Sequence, residues 1–266
     1  MKQTILSIFL STLLFFSNCK DLGEEIPPLE SSIVITPWEN LSPSQRTFTL
    51  NCATDEIYGC LNFRIINRFA VGSGTIEIWL DGIYKPEVCL TALGPATANI
   101  ELGALAHGNY NVVISTANTI TQATLDVRAD MYVIVYKPNV SVSVEHRILY
   151  RVPSNTYWGF IGYHRESSLR LAQAFVDSLL RLGTQPARLS NGYYGYFETD
   201  SSGNIITPNN LGYYFVKPFA HNFGGDSFVI RSLVKGFAKT LGDSLSIRVF
   251  GSHGETYYGW ILRNEP

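Results

Sequence analysis

The sequence Thr75-Ile76-Glu77-Ile78-Trp79-Leu80 alternates apolar side chains with other residues. This pattern is typical of a half-buried β-strand, because successive side chains of a strand point to opposite faces of a sheet. The pair Asp81-Gly82, which follows, predicts a hairpin turn. Further strand-like segments flank it, over residues 33–35, 48–52, 61–65, 99–102, 105–114 and 119–127. Short strands separated by turns at intervals of about 8–12 residues favour a β-sandwich in the first half of the chain.

The segment Leu105-Ala106-His107-Gly108-Asn109-Tyr110-Asn111-Val112 resembles the corner before a late strand in immunoglobulin-like and fibronectin-like domains. In those domains a tyrosine ring packs on the edge of the core and its hydroxyl bonds to the backbone. The resemblance implies an N-terminal immunoglobulin-like β-sandwich over residues 32–137. Such domains mostly act as spacers or adhesion modules, and the fold alone does not give a function.

The second half of the chain, residues 138–266, mixes two periods. Apolar residues recur at helical spacing within Ser167 to Leu182, with Ser167 as a cap, and a second helix follows Asp226. The element order β-α-β-β-α-β-β predicts a C-terminal α+β domain with two helices on one face of an antiparallel sheet. Residues 140–144 are expected to close the first domain or to open the second.

The N-terminus reads as a signal peptide over residues 1–18. Lys2 precedes an apolar run of 12 residues from Ile5 to Phe16. A lasting transmembrane helix needs about 20 apolar residues, so this run is too short to remain as an anchor. A cysteine, Cys19, follows the run directly, as in a lipoprotein signal. The alternative is an ordinary secretory signal with an incidental cysteine.

The residues Phe16-Ser17-Asn18-Cys19, with Lys20-Asp21 and Glu24-Glu25, resemble the start of bacterial lipoproteins, and among these the surface-exported lipoproteins of the Bacteroidota type. The resemblance implies that Cys19 carries a lipid such as palmitate and that residues 19–31 form a tether. It also implies an outer-membrane, lipid-anchored protein at the cell surface. Whether the protein faces the periplasm or the outside stays open.

Composition excludes one class of partner. The 266 residues carry a formal net charge of -2, and no basic block is present. Because phosphate binding needs clustered Lys and Arg, no nucleic-acid partner is expected. Low charge (16%) and high aromatic content (13%) favour a β-rich extracytoplasmic protein.

Three cysteines remain besides Cys19. Cys52 and Cys60 are nearest in sequence and are the predicted disulfide, with Cys89 left over, although sequence alone does not fix the pairing. The chain has no CxxC motif and no Cys/His cluster, so no metal site is expected.

No residue is predicted to be catalytic and no cofactor is expected. Gly242-Asp243-Ser244-Leu245 resembles the motif of a family of serine esterases. In that family the serine opens a helix after an early strand, whereas here it follows a predicted helix late in the chain. Without a partner base its hydroxyl is a weak nucleophile.

Aromatic residues crowd the strands of the second half. Neighbours on a strand point to opposite faces, so one face can pack on the helices while the other keeps exposed rings. Exposed rings can stack sugars or bind a protein. The predicted ligand-stacking residues are Trp158, Tyr194, Tyr196, Tyr214 and Trp260. The alternative is that this face packs on the first domain.

The sequence therefore predicts an extracytoplasmic lipoprotein that acts as a non-enzymatic binding or interaction module. Its expected partners are the membrane, through the lipid anchor, and a glycan or an envelope protein. The alternatives are a hydrolase that acts on extracellular polymer and a structural subunit of a surface complex. Paired carboxylates and a histidine within about 3 Å in a pocket would favour the hydrolase.

Overall fold

The computed structural model describes residues 29–209 and 211–265. Cys19, the predicted signal peptide and most of the predicted tether lie outside the described residues, so they stay predictions. Within the described ranges, no helix is long and apolar enough to cross a membrane.

The described residues are mostly β-structure with few helices. The strands and helices run in this order: β1 Ile33–Asn40, β2 Thr47–Tyr58, β3 Arg64–Gly72, β4 Thr75–Tyr84, β5 Gly94–Gly103, β6 Gly108–Ser115, β7 Ile120–Val127, β8 Met131–Tyr136, β9 Val142–Val144, β10 Ile148–Tyr150, β11 Thr156–Tyr163, α1 Leu169–Arg181, β12 Gln185–Pro186, β13 Gly192–Tyr193, β14 Glu198–Thr199, β15 Phe215–Asn222, α2 Ser227–Leu241, β16 Ser246–Gly251, β17 Thr256–Tyr258 and α3 Gly259–Leu262.

Twelve strands form one large sheet in the order β14-β13-β10-β8-β7-β6-β4-β3-β5-β2-β1-β9. The sheet curls, since Ile35 of β1 and Ile134 of β8 belong to the same buried core although their strands are far apart in the order. Burial alternates along β1, with Ile33 and Ile35 inside. The period-two apolar pattern therefore places one face of most long strands of this sheet in a common interior, whereas β3 contributes only Ile65.

The predicted hairpin turn at Asp81-Gly82 is wrong, because β4 continues through this pair to Tyr84. Its partner β3 pairs with Leu80 and Gly82 through consecutive residues, so Asp81 forms a β-bulge. The chain turns only after Tyr84, in the loop over residues 85–93. Asp-Gly is a turn signal, but pairing with β3 overrides it.

Strand β9 joins the large sheet, because it pairs in parallel with β1. Strand β10 pairs with β8, and β13 from the second half of the chain pairs with β10. The large sheet thus extends beyond residue 137. The folding units predicted over residues 32–137 and 138–266 stay predictions.

The corner predicted around Tyr110 is present. The Tyr110 hydroxyl donates to the Ala106 carbonyl at 3.1 Å, and its ring packs against the core of the large sheet. His107 is exposed, as expected for a turn residue. The strands are joined in one hydrogen-bonded sheet, and the immunoglobulin-like sandwich stays a prediction.

The second sheet is antiparallel, in the order β12-β15-β11-β16-β17. Helices α1 and α2 bury Phe175 and Val234 against Ile161 and Val249 of one face of this sheet. The second sheet is therefore antiparallel with two helices on one face, but β13 and β14, which lie between the helices in sequence, join the large sheet, so the predicted C-terminal α+β domain stays a prediction. The opposite face carries Trp158 and is described below.

Local signals at the helix starts succeed once and fail once. Asp226 caps α2, since its Oδ1 accepts the Phe228 N–H at 2.9 Å. Ser167 does not cap α1, because a 3₁₀ turn over Glu166–Ser168 leads into the helix instead. The final strand, which the sequence predicts over Thr256 to Leu262, ends at Tyr258, because α3 follows it.

The disulfide joins Cys60 to Cys89, so the predicted Cys52–Cys60 bridge is wrong. Cys52 is a buried free thiol on the inner face of β2. β2 continues as far as Tyr58, about 20 Å from Cys52 along the strand, and Cys60 follows the end of the strand. A disulfide needs Cα atoms within about 7 Å, which an extended strand forbids.

Replacing both bridge residues, Cys60→Ser with Cys89→Ser, is expected to lower the free energy of unfolding by about 3–4 kcal/mol, because the bridge closes a loop with a sequence separation of 29. Urea unfolding measures this. Dithiothreitol should destabilise the wild type and leave the double variant unchanged. The matched control is Cys52→Ala, which keeps the bridge and should be destabilised by dithiothreitol as much as the wild type.

A buried carboxylate stands where the large sheet meets the second sheet. Glu39, near the end of β1, has a side chain only 2% exposed. Its Oε1 accepts from the Tyr132 hydroxyl at 3.0 Å and from Arg151 Nε at 2.8 Å. Arg46 Nη1 lies 3.5 Å from Oε2. Burial and the neighbouring Glu39 raise the pKa of Tyr132, which keeps its hydroxyl a donor.

Arg46 extends this network to the second sheet. Its Nη1 donates to the Val152 carbonyl at 2.6 Å and its Nη2 to the Ser252 carbonyl, in the turn after β16, at 3.1 Å. Burial lowers the pKa of Arg46, and the Glu39 carboxylate opposes that shift. One buried anion therefore holds two cations, one of which bonds across the junction.

Replacing Glu39 with Ala is expected to lower the free energy of unfolding by about 3 kcal/mol, because two largely buried guanidinium groups lose their anion. Glu39→Gln keeps an oxygen acceptor and should fall between this variant and the wild type. Asp81→Ala breaks the exposed pair with Arg68 and should cost less than about 1 kcal/mol. Equal urea midpoints for Glu39→Ala and Asp81→Ala would contradict the assignment.

Candidate functional site

Three of the five predicted ligand-stacking residues pack between the two sheets. Trp158 is only 1% exposed, and Tyr194 is buried with it. The Tyr196 ring lies between Trp158, at 5.5 Å between centroids, and Trp38 of β1, at 4.4 Å. The Leu41 N–H donates to the Tyr196 hydroxyl at 3.3 Å.

This packing corrects the expectation for Trp158 and Tyr194, whose rings are covered by the protein and offer no surface to a ligand. Tyr196 is half-buried, and its ring is in contact with Trp38 on one side and Trp158 on the other. The alternative interpretation, that the aromatic face packs on the first half of the chain, therefore holds for this end of the second sheet.

The other two predicted residues, Tyr214 and Trp260, are exposed at 83% and 41%. Trp260 lies on α3, and its ring contacts Tyr258 at 4.5 Å between centroids. The Tyr214 ring meets the His164 ring edge-on at 5.4 Å. Both lie at the end of the sheet where β11 finishes at Tyr163.

A groove opens at this end of the sheet, with a volume of about 290 Å³. The side chains that line it and carry chemistry are His164, Tyr213, Asp243, Ser246, Trp260 and Arg263. We call this the aromatic groove. A shallower pocket beside it shares His164 and Asp243 and adds Arg165 and Ser244.

A glycine sets the position of one groove wall. A Cβ on Gly162 of β11 would lie 2.3 Å from the Tyr213 ring, so the ring rests directly on the backbone of the strand. The Tyr213 ring also contacts His164, at 5.1 Å between centroids. Only glycine at this position leaves room for that ring.

Arg248 lies beside the aromatic groove, next to two of the rings that line it. It lies on β16, where Ile247 and Val249 point to the helices and Arg248 points to the opposite face. Its guanidinium lies 5.3 Å from the Trp260 ring centroid and 5.9 Å from that of Tyr213. Among the described residues, no hydrogen-bond or ion-pair partner of Arg248 is present. The two aromatic rings therefore position the guanidinium group, while its N–H donors remain free to bond a ligand.

The acidic group of the groove is already paired. Asp243 Oδ1 accepts from Arg263 Nη1 at 2.5 Å. Ser244, which follows in the esterase-like sequence, sits in a 3₁₀ turn after α2. No hydrogen bond joins Ser244 to His164 among the described residues. The groove thus lacks the contact between a nucleophile and its base that acyl transfer requires.

Another pair of ionisable residues, His253 and Glu255, lies away from the aromatic groove. His253 Nδ1 is 3.8 Å from Glu255 Oε1, in the turn after β16. That turn is beside Thr156, since the Ser252 N–H donates to the Thr156 carbonyl. The length of β11, about 23 Å, separates it from His164. These groups therefore form no acid–base pair with His164.

His221 is a structural histidine. It is buried on β15, and its Nδ1 lies 2.8 Å from the Thr184 hydroxyl. Burial lowers its pKa, so the neutral ring is favoured. In the part of the chain that the structure describes, no group of three or more His, Cys, Asp or Glu residues could hold a metal ion.

Sequence reasoning found Trp260 and Tyr214 but missed Arg248, Tyr213 and His164 as members of one site. The period-two alternation of residues 246–250 already placed Arg248 opposite Ile247 and Val249. That signal could have put Arg248 on the aromatic face. Nothing local indicated that Tyr213 would reach Gly162, more than fifty residues away, since the contact depends on the pairing of β11 with β15.

Comparison with known proteins adds no assignment: no protein-family model matches the chain, nor does any curated protein or solved structure. The aromatic groove is the candidate site on geometry alone.

Proposed function

We propose that this chain is an extracytoplasmic lipoprotein, anchored to the outer membrane through Cys19, that binds a glycan in the aromatic groove without catalysing a reaction. The observation that supports the binding role is Arg248, whose guanidinium is held between Trp260 and Tyr213 with its donors free. Exposed rings beside an unpaired donor are the elements that recognise a sugar.

The chemistry of a sugar matches these elements. The apolar face of a pyranose ring can stack on Trp260, which lines the groove, while its hydroxyls accept hydrogen bonds from His164 in the groove and from Arg248 beside it. A volume of about 290 Å³ is at the low end for small-ligand sites and suits one or two sugar rings. An envelope protein would need a larger surface, so the glycan is the better fit.

The binding role is favoured over the hydrolase. A glycosidase needs two carboxylates on either side of the scissile bond. Asp243 is the carboxylate that lines the groove, and it is paired with Arg263. A structural subunit of a surface complex remains the other alternative.

We also propose that the strands of the first half form an immunoglobulin-like module that serves as a spacer. The hydrogen bond from Tyr110 to Ala106 supports this relationship, because it reproduces the corner of such domains. The module would carry the aromatic groove away from the lipid anchor.

Trp260→Ala and Arg248→Ala are each expected to weaken glycan binding at least tenfold, because they remove the stacking surface and the free donor. Binding is measured on an array of neutral and acidic extracellular oligosaccharides, then by calorimetry on the strongest one. Phe228→Ala, which removes an exposed ring from α2 outside the groove, is the matched control. Absence of any bound glycan, or unchanged binding by Trp260→Ala, would reject the site.

The anchor is tested separately in cells by labelling with a lipid precursor. The wild type should be labelled and removed by protease from intact cells, whereas Cys19→Ala should be unlabelled, because it lacks the acceptor sulfur. A labelled but protected wild type would place the protein on the periplasmic side. A wild type that is never labelled would reject the lipid anchor.

A further inference from the structure

The large sheet has a ring of exposed apolar side chains at one end. One lies near the end of β2 and one just after it, three lie in the loop between β4 and β5, and one lies in the loop before β9. We call them the apolar rim: Ile57, Leu61, Val88, Leu90, Leu93 and Val140, with exposures of 57%, 52%, 75%, 56%, 78% and 91%.

The loop that carries most of the rim is braced. The Cys60–Cys89 disulfide ties it to the segment after β2. The Asn62 amide donates to the Val88 carbonyl at 2.7 Å, and its Oδ1 accepts the Leu90 N–H at 3.1 Å. A loop held in this way keeps its apolar side chains outward, so a partner binds them without paying to order the loop.

The chain enters the fold at this same end. The Glu56 N–H donates to Ser31 Oγ at 3.1 Å, and the Ile33 N–H donates to the Ser141 carbonyl, next to Val140. Cys19 precedes Leu29, the first described residue, by ten positions. Ten residues span at most about 35 Å, so a lipid on Cys19 would hold the rim close to the membrane.

The opposite end of the large sheet is occupied. There Arg46 bonds to Ser252 and Leu41 bonds to Tyr196, so the second sheet covers it. The molecule therefore has two ends, one with the start of the fold and the rim, the other with the second sheet and the aromatic groove.

We propose that the apolar rim inserts into the interface of the lipid bilayer that anchors Cys19. This inference rests on the proposed lipidation, which supplies the membrane and sets its distance. Apolar side chains that enter the interface add to the membrane affinity that the lipid anchor supplies and orient the fold on the surface. Acidic and basic side chains both lie beside the rim, Asp55, Glu56 and Glu87 with Arg64 and Lys85, so a zwitterionic surface tests the apolar contact alone.

The test uses sedimentation with phosphatidylcholine–phosphatidylethanolamine vesicles and a chain that begins at Lys20. This chain keeps every described residue and lacks Cys19, so binding reports the rim and not the lipid. The wild type should partition onto vesicles, and the triple variant Val88→Ser, Leu90→Ser, Leu93→Ser should do so at least about tenfold more weakly.

The matched control is Leu169→Ser, Leu180→Ser, Phe228→Ser, which removes three exposed apolar side chains from α1 and α2 and should bind like the wild type. Urea unfolding verifies that both triple variants are folded.

The proposal is overturned if the wild type does not bind vesicles, or if the rim variant binds as well as the control. It is also overturned if the wild type without vesicles is a dimer that the rim variant dissociates, since the rim then joins two copies. Loss of glycan binding or of lipid labelling in the assays above would not change these results, so the failures are distinguishable.

Discussion

The buried Glu39 carboxylate is the constraint on which the arrangement of the two sheets depends. A carboxylate removed from water must be paired, and Glu39 is paired by Arg151 and Arg46 and bonded by Tyr132. These partners come from just before β2, from β8 and from just after β10, so the curl of the large sheet must be complete before the charge is satisfied. Since Arg46 also bonds to the backbone beyond β16, the same charge fixes the second sheet.

One aromatic sheet face serves two purposes because only part of it is covered. Near the start of β11, Trp158 is sealed by Tyr196 and the rings around it. Near the end of β11, Gly162 leaves space that the Tyr213 ring fills, and Arg248 and Trp260 remain open. The packed rings around Trp158 hold the sheet in place next to Arg248 and Trp260. A rigid site of this kind lowers the entropic cost of binding the proposed ligand.

The strands and both helices could be predicted from the sequence, because their signals are local. The alternation through Ile76 and Ile78 and the cap at Asp226 each need only a few neighbouring residues. The failures depend on distant partners. Asp81 became a bulge because β3 pairs past it, and Trp158 and Trp260 differ in exposure because only one faces the large sheet. Trp260 and Tyr214 were therefore predictable, whereas the position of Tyr213 on Gly162 was not.

The free thiol of Cys52 has a consequence for how the native disulfide forms. Burial raises the pKa of Cys52 to about 12, so the folded protein holds almost no thiolate there. Thiolate is the attacking species in disulfide exchange, and Cys52 is therefore silent once β2 is in place. Before that, three thiols compete and the nearest pair is the wrong one. Insertion of β2 into the sheet buries the Cys52 thiol and so removes it from disulfide exchange, which leaves Cys60 and Cys89 to form the native bridge.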